Sequence, residues 1–404
     1  MRILLISHTC QSRTEGQPKA VELARLPGID LQVLVPDRWR HYGVPRVAEP
    51  PLVDTFELMM GKVRWPWVTG GQFYLHFYPQ LRRILEEFQP DIIDLWEEPW
   101  ALVSAHTCWL RNRILPKTRI VSETEQNIFK RLPPPFQQVR SYVNRNADFM
   151  IGRSEEALAV ARRTGYSGPG TTVPNGVDVE LFRPGNRPAA RAALLPDLPF
   201  GKVFVAGYVG RLVPEKGVLD LVDSLAYGPE SLHLLFVGSG PAREQIERRA
   251  AEMGRTAQVH FHGACKLEAL PAVMNGLDVL VLPSRTTHRW KEQYGRVIIE
   301  AHACGTPVIG SSSGAIPTVV GDGGFVFPEG DSRALAMILK EMEASPWLGE
   351  QMGESGRKRV LEHCSWKRVA ERMADIYRRV ASHSTATGQS SFQRERQATE
   401  FAAL

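Results

Sequence analysis

The sequence has little of several features that mark specialised classes of protein. Its 404 residues include only five cysteines and no C-x-x-C pair, which excludes a disulfide scaffold and indicates reduced thiols in the cytoplasm. No apolar run approaches the about 18 residues of a membrane span, and the apolar start turns polar at Ser7, too early for a signal peptide. Lys and Arg outnumber Asp and Glu by only 49 to 44, too small an excess for a nucleic-acid-binding protein. We therefore expect a cytoplasmic globular protein that binds no nucleic acid.

Motifs that hold metals or dinucleotides are also absent. The sequence has no D-x-D to chelate a cation together with a diphosphate, and no Cys/His cluster with zinc spacing. Neither half of the chain opens with a G-x-G-x-x-G after its first predicted strand. These absences disfavour a Rossmann dehydrogenase and predict a protein with no metal and no other cofactor.

Apolar runs of strand length alternate with amphipathic segments in both halves of the chain, which is the pattern of parallel β-α-β units. In the first half the predicted strands are RILLIS, DLQVLVP, DIIDLW, RIVS and DFMIG. A stretch rich in turn residues, 171–185, separates the halves. The predicted fold is α/β, with two doubly wound Rossmann-like domains, 1–173 and 174–365, facing across a cleft. The Ser-, Gln- and Arg-rich segment 382–404 is predicted to be a disordered tail.

Ligands of such sheets bind beyond the carboxyl ends of strands, and the segment 207–217, GYVGRLVPEKG, follows a predicted strand. Gly210 allows the backbone to approach a ligand closely. Arg211 and Lys216 are two cations suited to a diphosphate, Arg as a planar fork and Lys as a point charge. The alternative is an ordinary basic turn on the surface.

A second candidate segment, 291–320, places Glu292 eight residues before Glu300. We expect Glu292 in a loop, Gly295 at a turn and VIIEAHAC as a helix whose first backbone N–H groups can hold a phosphate. A carboxylate such as Glu300 among apolar residues needs a partner, and the hydroxyls of a ribose or a sugar would supply one. The alternatives are a capping or salt-bridged role for Glu300 and a solvated position for Glu292.

With these segments in place, residues 174–328 resemble the glycosyltransferases of GT-B fold and family 4. The matching motifs occur in family order: PNGVD at 174–178, GRLVPEKG at 210–217, VGSGP at 237–241, PS at 283–284, and the E-x7-E segment. The resemblance implies a retaining, metal-independent transfer of a sugar from a nucleotide diphosphate sugar, with UDP the common nucleotide, to a carbohydrate or lipid-linked acceptor. It implies a role in polysaccharide or glycoconjugate biosynthesis. It also implies that the helix 366–381 packs back on the first domain.

The same resemblance assigns roles to individual residues. Arg211 and Lys216 would contact the donor diphosphate, Glu300 the ribose and Glu292 the donor sugar. The backbone amides expected to cover the diphosphate and the sugar are those of Tyr294, Gly295, Arg296 and Val297. Two alternatives stay open: a non-catalytic GT-B protein that binds a nucleotide, and a sugar-phosphate synthase or phosphorylase of the same fold.

The first half matches the family less well, and its expected function is to bind the acceptor. Polar side chains follow its predicted strands and are candidates for the acceptor side: Glu125, Gln126, Asn127 and His8. Capping and exposed loops are the alternative for these residues. Basic residues interleave with apolar ones over 111–117 and 130–140. Two alternatives stay open for this face: a solvated surface, or peripheral contact with the inner face of a membrane.

Overall fold

In the computed structural model the described residues are 1–41, 44–64, 72–198 and 201–382. They form two compact units. Unit 1 comprises Met1–Pro174 together with the chain from Trp366, and unit 2 comprises Asn175–Ser365. The predicted disordered tail lies, apart from Ser382, outside the described residues.

Unit 1 is a parallel sheet with helices packed on it. In chain order its elements are β1 Arg2–Ile6, α1 Gln17–Ala24, β2 Asp30–Pro36, β3 Arg38–His41, β4 Val44–Val47, β5 Glu57–Gly61, α2 Gln72–Leu75, α3 Leu81–Phe88, β6 Ile92–Leu95, α4 Leu102–Ile114, β7 Arg119–Thr124, α5 Pro134–Asn146, β8 Phe149–Gly152, α6 Glu155–Arg163 and β9 Gly170–Thr172. The parallel strands lie in the order β5-β2-β1-β6-β7-β8-β9, while β3 and β4 form a separate antiparallel hairpin.

Unit 2 repeats this architecture. Its elements are α7 Arg187–Leu194, β10 Phe204–Val209, α8 Val218–Asp223, β11 Leu232–Val237, α9 Arg243–Glu252, β12 Val259–Gly263, α10 Leu270–Gly276, β13 Val279–Leu282, α11 Arg296–Ala303, β14 Val308–Ser311, α12 Ile316–Val320, β15 Gly324–Phe327, α13 Ser332–Ala344 and α14 Pro346–Arg359. The strand order is β12-β11-β10-β13-β14-β15. The last helix, α15 Trp366–Ser382, belongs to unit 1.

The apolar runs found in the sequence form the central strands, because a strand covered by helices on both faces must be apolar throughout. In β1, Ile3, Leu4, Leu5 and Ile6 are fully buried. The predicted architecture of two Rossmann-like α/β domains is confirmed. In each sheet the chain order reverses between two neighbouring strands, β1 and β6 in unit 1 and β10 and β13 in unit 2. Such a reversal leaves a crevice outside the carboxyl ends of the strands where ligands bind.

Candidate functional site

Two loops meet at the reversal point of the sheet in unit 2. We call residues 210–217, which follow β10, the β10 loop, and residues 283–295, which follow β13, the β13 loop. The backbone N–H of Arg285 donates to the carbonyl oxygen of Glu215 at 2.9 Å and joins the two loops directly. Gly217 has a φ of +63°, and a Cβ there would lie 1.9 Å from the carbonyl oxygen of Pro283. Only glycine allows the loops to approach this closely.

Lys216 and Glu292 form an ion pair between these loops. The Nζ of Lys216 lies 2.6 Å from Oε2 of Glu292, and the hydroxyl of Ser284 donates to the same oxygen at 2.8 Å. The ammonium also lies 4.7 Å from the centre of the Trp290 ring. The side chains of Lys216 and Glu292 are 17% and 9% exposed, so each keeps a small surface through which it can reach a ligand. The fold thus brings together two residues that were singled out from separate motifs.

Glu300 lies in α11 and is buried, with 9% of the residue exposed. Its carboxylate accepts no hydrogen bond from the residues that the structure describes. Burial raises the pKa of Glu300, while the nearby Arg296 acts in the opposite direction. A buried carboxylate of this kind is costly unless a donor reaches it, and the diol of a ribose has two hydroxyl donors.

The amino end of α11 follows the β13 loop. Gly295 precedes the helix with a φ of +81°, so the backbone turns sharply before the first helical residue. In a first helical turn the N–H groups, here those of Arg296 and Val297, have no acceptor within the helix and favour an anion. The side chain of Tyr294 is buried, with its hydroxyl 3.8 Å from Sγ of Cys364, so only its backbone is placed for a ligand.

Arg211 lies at the start of the β10 loop and its side chain is 52% exposed. Its guanidinium lies 4.0 Å from the carboxylate of Glu215. The neighbouring Gly210 donates its backbone N–H to the carbonyl of Val237 at 2.9 Å, which holds the loop on the next strand. An exposed guanidinium on a fixed loop can form a bidentate contact with a phosphate.

Sequence reasoning missed two supports of this site. One is Trp290, which lies two residues before Glu292 and contacts the ammonium of Lys216 with its ring. Arg285 donates from Nε to Oδ2 of Asp220 at 2.6 Å and makes a second bond to the other carboxylate oxygen. This fork joins the β13 loop to α8. The PS motif at 283–284 and Glu292 pointed to the loop in which Arg285 lies, but not to Arg285 itself.

In unit 1, His8 and Glu97 lie at the equivalent reversal point. His8 follows β1, and both its backbone N–H and its Nδ1 contact Oε1 of Glu97, at 2.6 and 2.8 Å. The imidazole stacks on Trp39 with 4.9 Å between ring centres. Burial acts to lower the pKa of His8, but the adjacent Glu97 outweighs it and the pKa is raised. With Nδ1 held by the carboxylate, Nε2 is the ring nitrogen left for a ligand.

Glu98 organises the loop that carries the other acceptor-side candidates. Its carboxylate accepts hydrogen bonds from the backbone N–H of Glu125 and from the hydroxyl of Thr124, each at 2.7 Å. Burial raises its pKa to about 7. The side chain of Glu125 is 39% exposed and lies 3.7 Å from Nε of Arg153. Gln126 instead donates to the backbone of Ile128, and Asn127 is buried, so both act within the loop.

Part of the basic stretch at 111–117 is buried and not exposed as its sequence suggests. Arg111 is buried, donates to the carbonyl of Asn146 at 2.5 Å and lies 3.7 Å from Asp148. Among the described residues, every helix is too short or too polar to span a lipid bilayer. In the described part of the chain, no group of three or more His, Cys, Asp or Glu side chains is placed to hold a metal ion.

Comparisons with known proteins match each unit in turn. The family model described as Glycosyltransferase Family 4 matches residues 20–181, and the model described as Glycosyl transferases group 1 matches residues 196–359. The chain is 34% identical over 214 residues to the GDP-mannose-dependent alpha-(1-6)-phosphatidylinositol monomannoside mannosyltransferase of Mycolicibacterium smegmatis, a match that covers 50% of this chain and 55% of that protein. It is 34% identical over 263 residues to the D-inositol 3-phosphate glycosyltransferase of Streptomyces avermitilis, covering 59% and 54%.

The chain thus spans about half the length of these curated relatives. Among solved structures, sucrose-phosphate synthase from Thermosynechococcus elongatus is similar in fold, with a TM-score of 0.72 and 24% identity. That similarity covers 95% of this chain and 99% of the other. The fold likeness therefore extends over both units.

Proposed function

We propose that this chain, which belongs to the GT-B glycosyltransferases of family 4, transfers a sugar from a nucleotide diphosphate donor to a carbohydrate or lipid-linked acceptor. The observation that carries the proposal is the Lys216–Glu292 ion pair, 2.6 Å long, between the two loops at the reversal point of unit 2. Both residues lie within the part of the chain that the group 1 model matches. Transfer with retention of configuration and without a metal is part of the proposal.

In this mechanism the protein stabilises the departing nucleotide. Lys216 and Arg211 neutralise charge on the diphosphate, since cations fixed where charge develops lower the barrier. The N–H groups of Arg296 and Val297 add backbone donors to the same anion. Because Glu292 holds the ammonium of Lys216 from one side, it fixes that cation and is itself placed to accept a hydrogen bond from a sugar hydroxyl. Glu300 accepts hydrogen bonds from the ribose hydroxyls.

The base of the donor nucleotide is the finer part of the proposal. The sequence resemblance favours UDP, whereas the name of the Mycolicibacterium relative supports a GDP-sugar. The test is therefore a panel of UDP- and GDP-sugars, with release of nucleotide measured by mass spectrometry for each. Candidate acceptors are D-inositol 3-phosphate, phosphatidylinositol glycolipids and inorganic phosphate. Turnover with phosphate alone would instead indicate a phosphorylase, and binding of a nucleotide without any turnover would indicate a non-catalytic protein.

Metal independence gives a direct prediction. In the proposed mechanism, Lys216, Arg211 and the first turn of α11 stabilise the charge of the diphosphate, which a metal ion does in other transferases. Addition of EDTA should leave the initial rate unchanged, and added Mg²⁺ or Mn²⁺ should not raise it. The measurement is the rate of nucleotide release before and after dialysis against chelator. A strict requirement for a divalent cation would overturn this part of the mechanism.

The acceptor side is proposed to lie in unit 1, where His8 presents Nε2 and Glu98 shapes the loop that carries Glu125. As an imidazolium, His8 can donate a hydrogen bond to an oxygen of the acceptor, while Glu97 keeps the ring in one orientation. The lipid in the name of the Mycolicibacterium relative supports an acceptor at a membrane surface. We accordingly propose that the protein acts in the cytoplasm and contacts the inner face of the membrane peripherally.

This role predicts a pH dependence for the acceptor. The raised pKa of His8 means that the imidazolium is present below that pKa and is lost as the pH rises through it. The KM for the acceptor should therefore increase as the pH rises through the pKa of His8, with the KM for the donor unaffected. The variant His8→Gln should lose this pH dependence. Glu97→Gln removes the carboxylate that raises the pKa and should move the transition to lower pH. An unchanged pH profile in both variants would contradict the role.

A further inference from the structure

Unit 1 has a pocket at the edge of its sheet opposite to His8 and Glu97. It lies at the amino ends of the strands, because Arg2 begins β1, Asp91 directly precedes β6 and Arg119 begins β7. The last turns of α15 close one side through Arg378. The volume of about 720 Å³ is within the range of pockets that hold small molecules. Nothing in the proposed transfer reaction uses this edge of the sheet.

The charge of the pocket is positive. Four cationic side chains line it, and Asp91 is the one acidic residue among its lining residues: Arg2, Lys117, Arg119 and Arg378 are the cations. The carboxylate of Asp91 already accepts the backbone N–H of Arg2 at 2.8 Å. Two of the cations are already paired, Arg119 with Asp148 at 2.9 Å and Arg378 with Asp375 at 2.7 Å, so the uncompensated positive charge comes from Arg2 and Lys117.

Hydrogen-bond donors in the pocket remain available. Arg119 is already engaged, because it donates from one terminal nitrogen to Asp148 at 2.9 Å. Arg2 and Lys117 are exposed, and no ion pair of their side chains occurs within the described part of the chain. The lining also includes three apolar residues, Ile114, Leu115 and Pro116. A ligand with a charged end and an uncharged organic part fits such a lining.

We propose that this pocket binds a phosphate ester, with the phosphate on the cations and the organic part against Ile114–Pro116. A phosphate has three oxygens that accept charge-assisted hydrogen bonds from several cations at once, which suits a lining of three arginines and a lysine. The ester is either a soluble phosphorylated metabolite or the headgroup of a phospholipid. This site in unit 1 is separate from the proposed donor site, which lies in unit 2.

The first experiment measures a soluble ester. Glycerol 3-phosphate is titrated calorimetrically, at low ionic strength, into the full chain carrying Lys216→Ala, so that phosphate binding at the donor site is weakened in every sample. The pocket variant adds Arg2→Gln and Lys117→Gln. The matched control adds Arg248→Gln and Lys340→Gln, two exposed cations of unit 2, and so removes the same charge. The pocket variant should bind at least about tenfold more weakly than the control.

The second experiment measures the lipid source with the same variants. Co-sedimentation with vesicles of phosphatidylcholine containing phosphatidylglycerol is compared with vesicles of phosphatidylcholine alone. Selective loss of vesicle binding in the pocket variant assigns the site to a phospholipid headgroup, and selective loss of glycerol 3-phosphate binding alone assigns it to a soluble ester. Circular dichroism tests whether the variants are folded. Arg378→Gln is a second pocket variant, for use if the first one does not fold. If the pocket and control variants behave alike in both experiments, the proposal is wrong.

Discussion

Replacing Lys216 with alanine should lower kcat/KM for the sugar donor by about 10²–10³-fold, the usual cost of removing one fixed electrostatic contact to a transition state. The ammonium lies 2.6 Å from Glu292 and on the face of Trp290, so its position is set before substrate arrives. Without it, charge on the departing diphosphate meets only Arg211 and the first turn of α11. The measurement is nucleotide release at donor concentrations above and below KM, because loss confined to the transition state lowers kcat as well as kcat/KM.

The controls separate catalysis from folding. Lys340→Ala removes an exposed lysine of the same unit and should leave the rate unchanged. Because Lys216→Ala leaves the carboxylate of Glu292 without its cation, Lys216→Arg tests whether a cation alone restores activity, and thermal unfolding reports any loss of stability. Glu300→Ala should also lower kcat/KM for the sugar donor, through loss of the ribose contact. Full activity in either Lys216→Ala or Glu300→Ala would reject the proposed donor site.

The sequence was most informative where the chemistry is local. Gly210, Arg211 and Lys216 lie in one short loop after an apolar strand, and Gly295 marks the turn into α11, so their placement needs little beyond chain order. The contact between Lys216 and Glu292 joins residues 76 apart and depends on β10 and β13 being neighbours. The Arg285–Asp220 fork has no sequence signal for the same reason, since each residue alone is typical of a surface.

In unit 1 the central strands were predictable and their surroundings were not. β1, β2, β6, β7 and β8 are the five apolar runs. The hairpin of β3 and β4 and the edge strand β5 escaped prediction because charged and half-exposed residues interrupt their apolar pattern. The buried ions of this unit were missed for a related reason: charged residues in a sequence are usually solvated, so Lys19 gave no sign of being buried.

A buried cluster of charges gives the largest expected effect on stability. Lys19, in α1, is fully buried, with Nζ 2.9 Å from Oδ2 of Asp94 and in contact with the carboxylate of Glu123. Arg153 pairs with the other side of Glu123, and the hydroxyl of Tyr377 in α15 donates to Asp94 at 2.6 Å. The cluster therefore joins β6, β7 and the residue that follows β8 to both α1 and the returning C-terminal helix.

Lys19→Met should reduce the free energy of unfolding of unit 1 by about 3–5 kcal/mol, the cost of leaving a buried charge without its partner. Methionine keeps most of the apolar stem, so loss of packing is small by comparison. The measurement is urea unfolding followed by tryptophan fluorescence. Trp96 is a suitable reporter because the centre of its ring lies 4.5 Å from the ammonium of Lys19. Lys130→Met, an exposed lysine of the same unit, should change stability by less than about 0.5 kcal/mol.

The pH dependence of this deficit distinguishes an unpaired charge from a packing defect. Burial and the neighbouring Glu123 raise the pKa of Asp94 to about 7. Lys19 opposes this increase more strongly than the hydrogen bond from Tyr377 does, so in Lys19→Met the pKa should move higher still. Between the unfolded pKa of an Asp, about 3.9, and the raised folded value, the folded protein binds the extra proton and stability falls as the pH rises. The deficit of Lys19→Met relative to the wild type should therefore be larger at about pH 8 than at about pH 5.5. A deficit that is the same at both values would mean that the variant loses packing alone and that Lys19 does not compensate the buried carboxylates.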